Sequence, residues 1–173
     1  MRFSFLVVLF FTSQALFSQN EASAKRTEMI AERINATPFD SFTMQSFELS
    51  CFENEAPGEI KVFYTNKTIQ KVIYTYELSL GVGEVTYYFF KNQLNYVDHA
   101  RYKFDFFPEQ DSIDFSSKNL ESRHQMYFNG NEQVFEKQTK LLKMKEDKHT
   151  DYHFYAKEIQ NAAEERIRIM SRE

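Results

Sequence analysis

The sequence predicts an α+β fold: a single antiparallel, curved or barrel-like β-meander of about six to eight strands, with an N-terminal and a C-terminal helix. Three observations predict it. Residues 85–106 form two strand-like runs around a short turn at residues 91–93, and the second run alternates apolar and polar side chains. Shorter aromatic runs separated by Asn-containing turns repeat this hairpin pattern on both sides. Apolar residues at helical spacing mark the two ends of the chain.

Residues 1–18 are predicted to be a signal peptide. Arg2 precedes an apolar run at residues 3–11, and cleavage after Ser18 fits the distance from that run. The run is shorter than the roughly 20 residues that span a bilayer. No cysteine follows it as a lipid acceptor, so we expect no stable membrane anchor. The expected location is therefore periplasmic or extracellular.

Charge and cysteine usage exclude some classes of protein. Without residues 1–18 the chain keeps 20 of its 21 lysines and arginines, because only Arg2 is lost, and all 25 aspartates and glutamates. Such a balance argues against a nucleic-acid partner, which usually requires a basic excess. The single cysteine, Cys51, excludes an internal disulfide. Nineteen Phe and ten Tyr indicate that a largely aromatic core holds the domain together instead.

The N-terminal helix is assigned to residues 19–38 and ends at Pro38, because the residue before a proline is forced out of the helical conformation. The meander is assigned to residues 39–142. Its first strand, at residues 39–52, changes phase near residues 45–46 and should bend there. Strands at residues 60–64 and 69–80 follow. Residues 81–83, Gly-Val-Gly, are predicted to turn the chain into the hairpin of residues 85–106.

A polar passage at residues 109–122 shows no clear period and is predicted to be a long loop, of the kind that is often functional or mobile. A last hairpin, residues 123–128 and 133–142, is predicted around Asn129-Gly130, since Asn-Gly is a strong hairpin signal. Residues 143–173 make up the C-terminal segment. Within it, a helix over residues 151–170 is expected, capped by Thr150, with one apolar face that packs on the sheet or forms a homodimer.

One stretch of the meander is similar to a known group of proteins. A Tyr-Tyr-Phe run, a turn and a Leu-x-Tyr-Val run occupy residues 87–97, and a second pattern follows with Glu121, Arg123, Tyr127, Phe128, Asn129 and Gly130. Together they resemble uncharacterised exported proteins of Bacteroidota-type bacteria, over residues 62–138. The resemblance implies an exported bacterial β-rich protein and carries no activity with it.

The motifs of common enzymes are missing from this sequence. It has no Gly-rich phosphate loop, no Cys-x-x-Cys pair and no Gly-x-Ser-x-Gly elbow. His149 and His153 are four residues apart, but the first lies at or before the helix cap and no third ligand is near. We therefore expect no metal, no cofactor and no catalytic residue that spacing alone identifies. His99 falls on the polar face of its strand and is expected to be solvated.

Four residues are candidates for a binding site: Asp98, Arg123, Tyr96 and Tyr76. Asp98 falls in phase with the aromatic face of its strand, and a buried carboxylate needs a partner such as Arg123 or a tyrosine hydroxyl. A bulge that turns Asp98 into solvent is the alternative. Tyr96 and Tyr76 would line a concave surface if the sheet curves, and tyrosine is enriched in binding sites. Alternatively, they fill the core.

These observations favour an exported, non-enzymatic protein that binds an unknown partner protein or small ligand through its aromatic-rich sheet or its long loop. Two alternatives stay open. One is a hydrolase-like enzyme with a dispersed site around Asp98, and the other is a structural or assembly factor of the cell envelope. The sequence indicates a destination and a fold, and it does not specify an activity.

Overall fold

The computed structural model describes residues 22–52, 57–130, 132–140 and 151–172. Seven strands form one antiparallel sheet in which each strand pairs with the next along the chain. The sheet is open, with the first and last strands at its edges. The strands are β1 Asp40–Gln45, β2 Gly58–Thr65, β3 Thr68–Leu78, β4 Gly81–Phe90, β5 Gln93–Phe107, β6 Ser112–Asn129 and β7 Glu132–Lys140.

Two helices accompany the sheet: α1 at residues 22–36 and α2 at Tyr152–Met170. Two short 3-10 turns, Ser46–Glu48 and Ser50–Phe52, follow β1. The predicted α+β class, the strand number and both helices are confirmed. The first strand was predicted to bend near residues 45–46 and continue to residue 52, but it ends at Gln45, where the 3-10 turns begin. No helix in the described part of the chain is long and apolar enough to cross a membrane.

The tight turns lie where the sequence predicted them. Asn66-Lys67 joins β2 to β3, and Lys91-Asn92 joins β4 to β5, with both residues of each pair at positive φ. This conformation matches the right-handed twist of the flanking strands. Gly130, φ +63°, begins the turn between β6 and β7. The turn chemistry of asparagine and glycine therefore sets the register of three hairpins.

Helix α2 covers one face of the sheet. Its N-cap is Asp151, which accepts a hydrogen bond from the backbone N–H of Phe154, so the predicted cap at Thr150 is replaced by the next residue. Both the cap and the first helical residue lie one position later than predicted, because the side chain of Asp151 supplies the oxygen that caps the first turn. The buried residues between helix and sheet form the larger core: Met44, Phe52, Ile60, Val62, Ile69, Val72, Tyr74, Val85, Tyr87, Phe89, Leu94, Val97, Met126, Phe128, Ala156, Ile159, Ala163 and Ile167.

Helix α1 covers part of the opposite face. Its Ala24, Ala31 and Ile34 are buried against three tyrosines of the central strands. We call Tyr88 of β4, Tyr96 of β5 and Tyr127 of β6 the tyrosine row, since direct cross-strand pairing places them side by side. Around the tyrosine row, both faces of the central strands are thus buried, one under α1 and the other under α2. The alternation of β5 alone did not indicate this.

Two further predictions about the meander are wrong. Residues 81–83 do not turn: they begin β4, and the turn lies at residues 79–80. Gly83 instead lets the ring of Tyr76 pack directly against the backbone of β4, since a Cβ at this position would lie 2.0 Å from that ring. Residues 112–122, expected in a long loop, belong to β6.

Candidate functional site

Asp98 and Arg123 form a two-pronged ion pair on the face that α1 partly covers. Arg123 lies on β6 opposite Ala100, two residues along β5 from Asp98, and so on the same face of the sheet. Its Nε donates to one carboxylate oxygen at 2.8 Å, and a terminal guanidinium nitrogen donates to the other at 2.5 Å. The carboxylate's hydrogen bond raises the pKa of Arg123 further above its usual range. Of the alternatives that the sequence offered for Asp98, the structure shows the pairing with Arg123. The Arg123 side chain is 44% exposed, so this geometry is typical of a surface ion pair that water partly screens.

Tyr96 lies in the middle of the tyrosine row, with ring centroids 5.3 Å from Tyr88 and 4.9 Å from Tyr127. Its hydroxyl accepts a hydrogen bond from Gln125 Nε2, and burial raises its pKa to about 12. The ring is 4% exposed, so Tyr96 fills the core between sheet and α1. Of the two alternatives for this residue, the structure shows the core rather than a concave binding surface.

The tyrosine row is fastened to α1 by hydroxyl groups. Tyr127 donates to Glu28 Oε1 at 2.6 Å, and Asn35 Nδ2 donates to the Tyr88 hydroxyl at 3.0 Å. Burial raises the pKa of both phenols, so each keeps its proton at neutral pH. Small apolar residues and these bonds together hold α1 in place.

Tyr76 lies on the opposite face and does not join the other three candidates. Its hydroxyl is 2.8 Å from His99 Nε2, and His99 Nδ1 is 2.6 Å from the hydroxyl of Tyr152 in the first turn of α2. We call these three residues the His99 network. Adjacent positions on a strand point to opposite faces, so Asp98 and His99 are separated by the sheet itself. The expectation that His99 is solvated is wrong, because α2 closes over it.

Burial holds His99 in its neutral form. Desolvation, with smaller effects from Arg101 and His124, lowers its pKa from 6.5 to about 3. A neutral imidazole has one N–H and one acceptor nitrogen, so one tyrosine hydroxyl donates to the ring and the other accepts from it. At neutral pH such a histidine binds protons weakly, and its role is to connect β3, β5 and the start of α2.

The arrangement offers little for acid–base or metal chemistry. His99 and His124 share the α2 face, whereas Asp98 and Arg123 lie on the other, so neither of these two histidines approaches the ion pair. Within residues 22–52, 57–130, 132–140 and 151–172, no group of three metal-binding side chains is present. Burial raises the pKa of the Cys51 thiol to about 11, which disfavours a reactive thiolate. His149 lies outside the described residues.

A different feature is the end of the β5–β6 hairpin, residues 104–117, which we call the arm. Strand β4 stops pairing with β5 at Lys103, and β5 continues with β6 as its only partner in the described chain. Four residues of β5 therefore extend about 13 Å past the last three-stranded row. Three phenylalanines of the arm are exposed: Phe106 by 42%, Phe107 by 47% and Phe115 by 72%.

A wide bulge shapes the arm. Between the pairs Lys103↔Asn119 and Asp105↔Asp114, β5 has one residue while β6 has four, at positions 115–118. The backbone N–H of Asp105 donates to Ser117 Oγ at 2.6 Å, and that hydroxyl donates to the Asp114 carbonyl at 2.8 Å. These bonds fix the bulge and present Phe115 outward, in edge contact with Phe104. The Phe-Asp-Phe and Ile-Asp-Phe runs are the sequence signal that could have revealed this ribbon.

We predict that His99 makes stability fall as the pH drops. The pKa of His99 is lower in the folded protein than in the unfolded chain. Below about pH 6.5 His99 is therefore protonated in the unfolded chain but stays neutral in the folded protein. The stabilisation is complete above pH 6.5 and is lost progressively towards pH 3, with a slope of at most about 1.4 kcal/mol per pH unit. Urea unfolding measured from pH 7 to pH 4 should show this slope in the wild type and a reduced one in His99→Gln.

The matched control is His124→Gln. This histidine is the cross-strand neighbour of His99, and its Nε2 lies 3.2 Å from Glu136. Its removal should leave most of the pH slope in place, because desolvation, the largest cause of the lowered pKa of His99, is unchanged. Equal slopes in the wild type and His99→Gln would contradict the assignment of a neutral, buried His99.

Comparison with known proteins finds no matching family model, no matching curated protein and no matching solved structure. The resemblance to exported proteins of Bacteroidota-type bacteria therefore stays a prediction. The function has to be inferred from the residues themselves. Two networks under the helices and one uncovered aromatic arm are the features available for that inference.

Proposed function

We propose that this chain is an exported, non-enzymatic protein that binds a partner protein through the arm. One observation carries the proposal: large aromatic side chains are uncovered on a two-stranded ribbon, whereas most of those of the central strands, such as Tyr87, Phe89 and Tyr127, are buried beneath two helices. An aromatic group fixed in an exposed position is a typical anchor of a protein interface. Of the two surfaces that the sequence offered, the aromatic-rich sheet and the long loop, the proposal takes the second.

The shape of the arm favours a protein over a small molecule. Small ligands are usually held in concave sites that bury most of their surface. The arm is a projecting ribbon, and its phenylalanines lie on both of its faces: Phe106 is in register with Ile113, while Phe107 is in register with Ser112. A projecting element of this kind is complementary to a groove or pocket on another protein.

Burial of these rings would provide part of the affinity. Full burial of a phenylalanine side chain is favourable by about 1.5–3 kcal/mol. The three rings are 42%, 47% and 72% exposed, so covering what remains uncovered contributes about 2–5 kcal/mol in total. Association costs at least as much, so polar and apolar contacts of the rest of the interface must supply the remaining affinity. The backbone bonds of the bulge order the arm in advance and so reduce that cost.

Export is supported by the N-terminal sequence, an arginine followed by nine residues of which eight are apolar. These residues lie outside the described part of the chain. The resemblance over residues 62–138 points the same way. Either the periplasm or the extracellular space would satisfy both observations.

Export predicts a processed N-terminus. When the full chain is produced in a bacterial host with a general secretory pathway, the protein recovered outside the cytoplasm should begin near Gln19. Intact-mass spectrometry of that fraction measures the start directly. Recovery of a chain that still carries Met1, confined to the cytoplasm, would contradict the export proposal.

The arm predicts site-specific capture of a partner. Replacing Phe107 by the photo-reactive benzoylphenylalanine and irradiating the protein in extracts of its native host should give a discrete cross-linked product with another protein. The product should decrease at least about tenfold when Phe106 and Phe115 are changed to serine, because buried aromatic anchors contribute most to such interfaces. Immunoblotting and mass spectrometry of the product are the readout.

Phe90 is the matched control. It is 44% exposed, against 47% for Phe107, and it lies at the end of β4 beside the Lys91-Asn92 turn. The photo-reactive residue at this position should not give the same product. Identical products from both positions, or a product made only of two copies of this chain, would overturn binding of a partner protein through the arm.

A further inference from the structure

The arm carries one sign of charge. Residues 104–117 contain Asp105, Glu109, Asp111 and Asp114, and no lysine, arginine or histidine. Hydrogen bonds from Ser116 lower the pKa of Asp114, so this carboxylate stays ionised well below neutral pH. The aromatic rings are thus interleaved with four negative charges on a projecting element.

Two of these carboxylates face each other. Asp105 and Asp114 form a direct cross-strand pair, an arrangement in which like charges destabilise the ribbon. Polar neighbours relieve only part of this repulsion: Asn119 Nδ2 donates to Asp105 at 3.0 Å, and Ser116 donates to Asp114. A cation brought to this edge by a partner would be favoured by both charges at once.

The apolar and acidic groups are arranged on different faces. Phe106 lies opposite Ile113, and Phe104 contacts Phe115, which gives one face a run of apolar side chains. The other face carries Asp105 and Asp114 with Phe107. A partner that accommodates this ribbon must therefore offer both an apolar surface and positive charge.

We infer that the partner of the arm is a protein with an apolar groove bordered by lysine or arginine side chains. The inference rests on the proposed function and adds the chemistry of the partner to it. Arginine and lysine at the rim would pair with the exposed carboxylates, while the groove covers the phenylalanine rings. Membranes rich in anionic lipid and nucleic acids carry the same sign of charge as the arm and would be repelled.

A charge variant tests this inference. Glu109→Lys combined with Asp111→Asn changes the charge of the arm by three units and leaves every phenylalanine in place. Asparagine suits position 111, where φ is +46°, because it tolerates that conformation. In the photo-capture experiment at Phe107, this variant should lower the yield of the hetero-product about tenfold at physiological ionic strength. The wild-type yield should itself decrease as salt is added.

The control makes the same changes elsewhere. Glu132→Lys and Asp40→Asn alter exposed residues at the start of β7 and β1, outside the arm, with the same net effect on charge. This control should capture the partner as the wild type does. A second measurement uses flotation with phosphatidylcholine vesicles, with and without phosphatidylglycerol. No vesicle binding by the wild type is expected.

The outcomes separate the inference from the function on which it rests. If the arm variant and the control capture the partner equally well, the basic rim is wrong although binding through the arm stands. Binding of the wild type to either vesicle would replace the protein partner by a lipid surface and overturn the inference. If the photo-reactive residue at Phe107 captures no protein at all, the proposed function fails and the inference fails with it.

Discussion

The contact between helix α2 and the sheet is the interaction on which the rest of the structure depends. It is made by a stripe of two alanines and two isoleucines, all buried: Ala156, Ile159, Ala163 and Ile167. The small alanines let the helix axis approach the strands closely, and the isoleucines fill the space between them. Without this cover, the aromatic residues on that face would be exposed. The open sheet is stable because a helix, and not closure into a barrel, buries its inner side.

Two polar networks mark where the helices meet the sheet. On the α2 side, His99 joins Tyr76 to Tyr152 and so fixes the first turn of the helix. On the α1 side, hydroxyls of the tyrosine row bind Glu28 and Asn35. Buried polar groups that find partners specify one arrangement among several apolar ones. The candidate residues of the sequence largely belong to this architecture, which is why they do not by themselves define a catalytic centre.

Sequence patterns predicted the elements formed by local chemistry. The Asn66, Asn92 and Gly130 turns follow from the preference of these residues for positive φ, and α2 follows from its apolar spacing. The Asp98–Arg123 pair was one of the alternatives for Asp98, beside a tyrosine hydroxyl as partner or a bulge into solvent, because a buried carboxylate requires a partner. These inferences need only neighbours along the chain or on one strand pair.

The remaining features depend on tertiary contacts that a single sequence does not contain. His99 looked solvated because alternation shows which residues share a face, but not whether a helix covers it. Gly83 looked like part of a turn because the sequence does not show that the Tyr76 ring of the neighbouring strand lies directly against it. The arm looked like a loop because a two-stranded ribbon buries neither face fully and shows no clear period. The feature that best supports a function was therefore the least visible in the sequence.

The central claim is that the fold and the binding surface are separable, with the helices and central strands responsible for stability and the arm for recognition. Lys103 and Asn119 lie opposite each other, so residues 104–118 can be replaced by Asn-Gly, which forms a two-residue hairpin turn. The most direct test compares this shortened protein with the wild type in urea unfolding and in binding to the purified partner. The account predicts an unfolding free energy changed by less than about 1 kcal/mol, and no detectable binding. A shortened protein that unfolds, or that still binds with wild-type affinity, would contradict it.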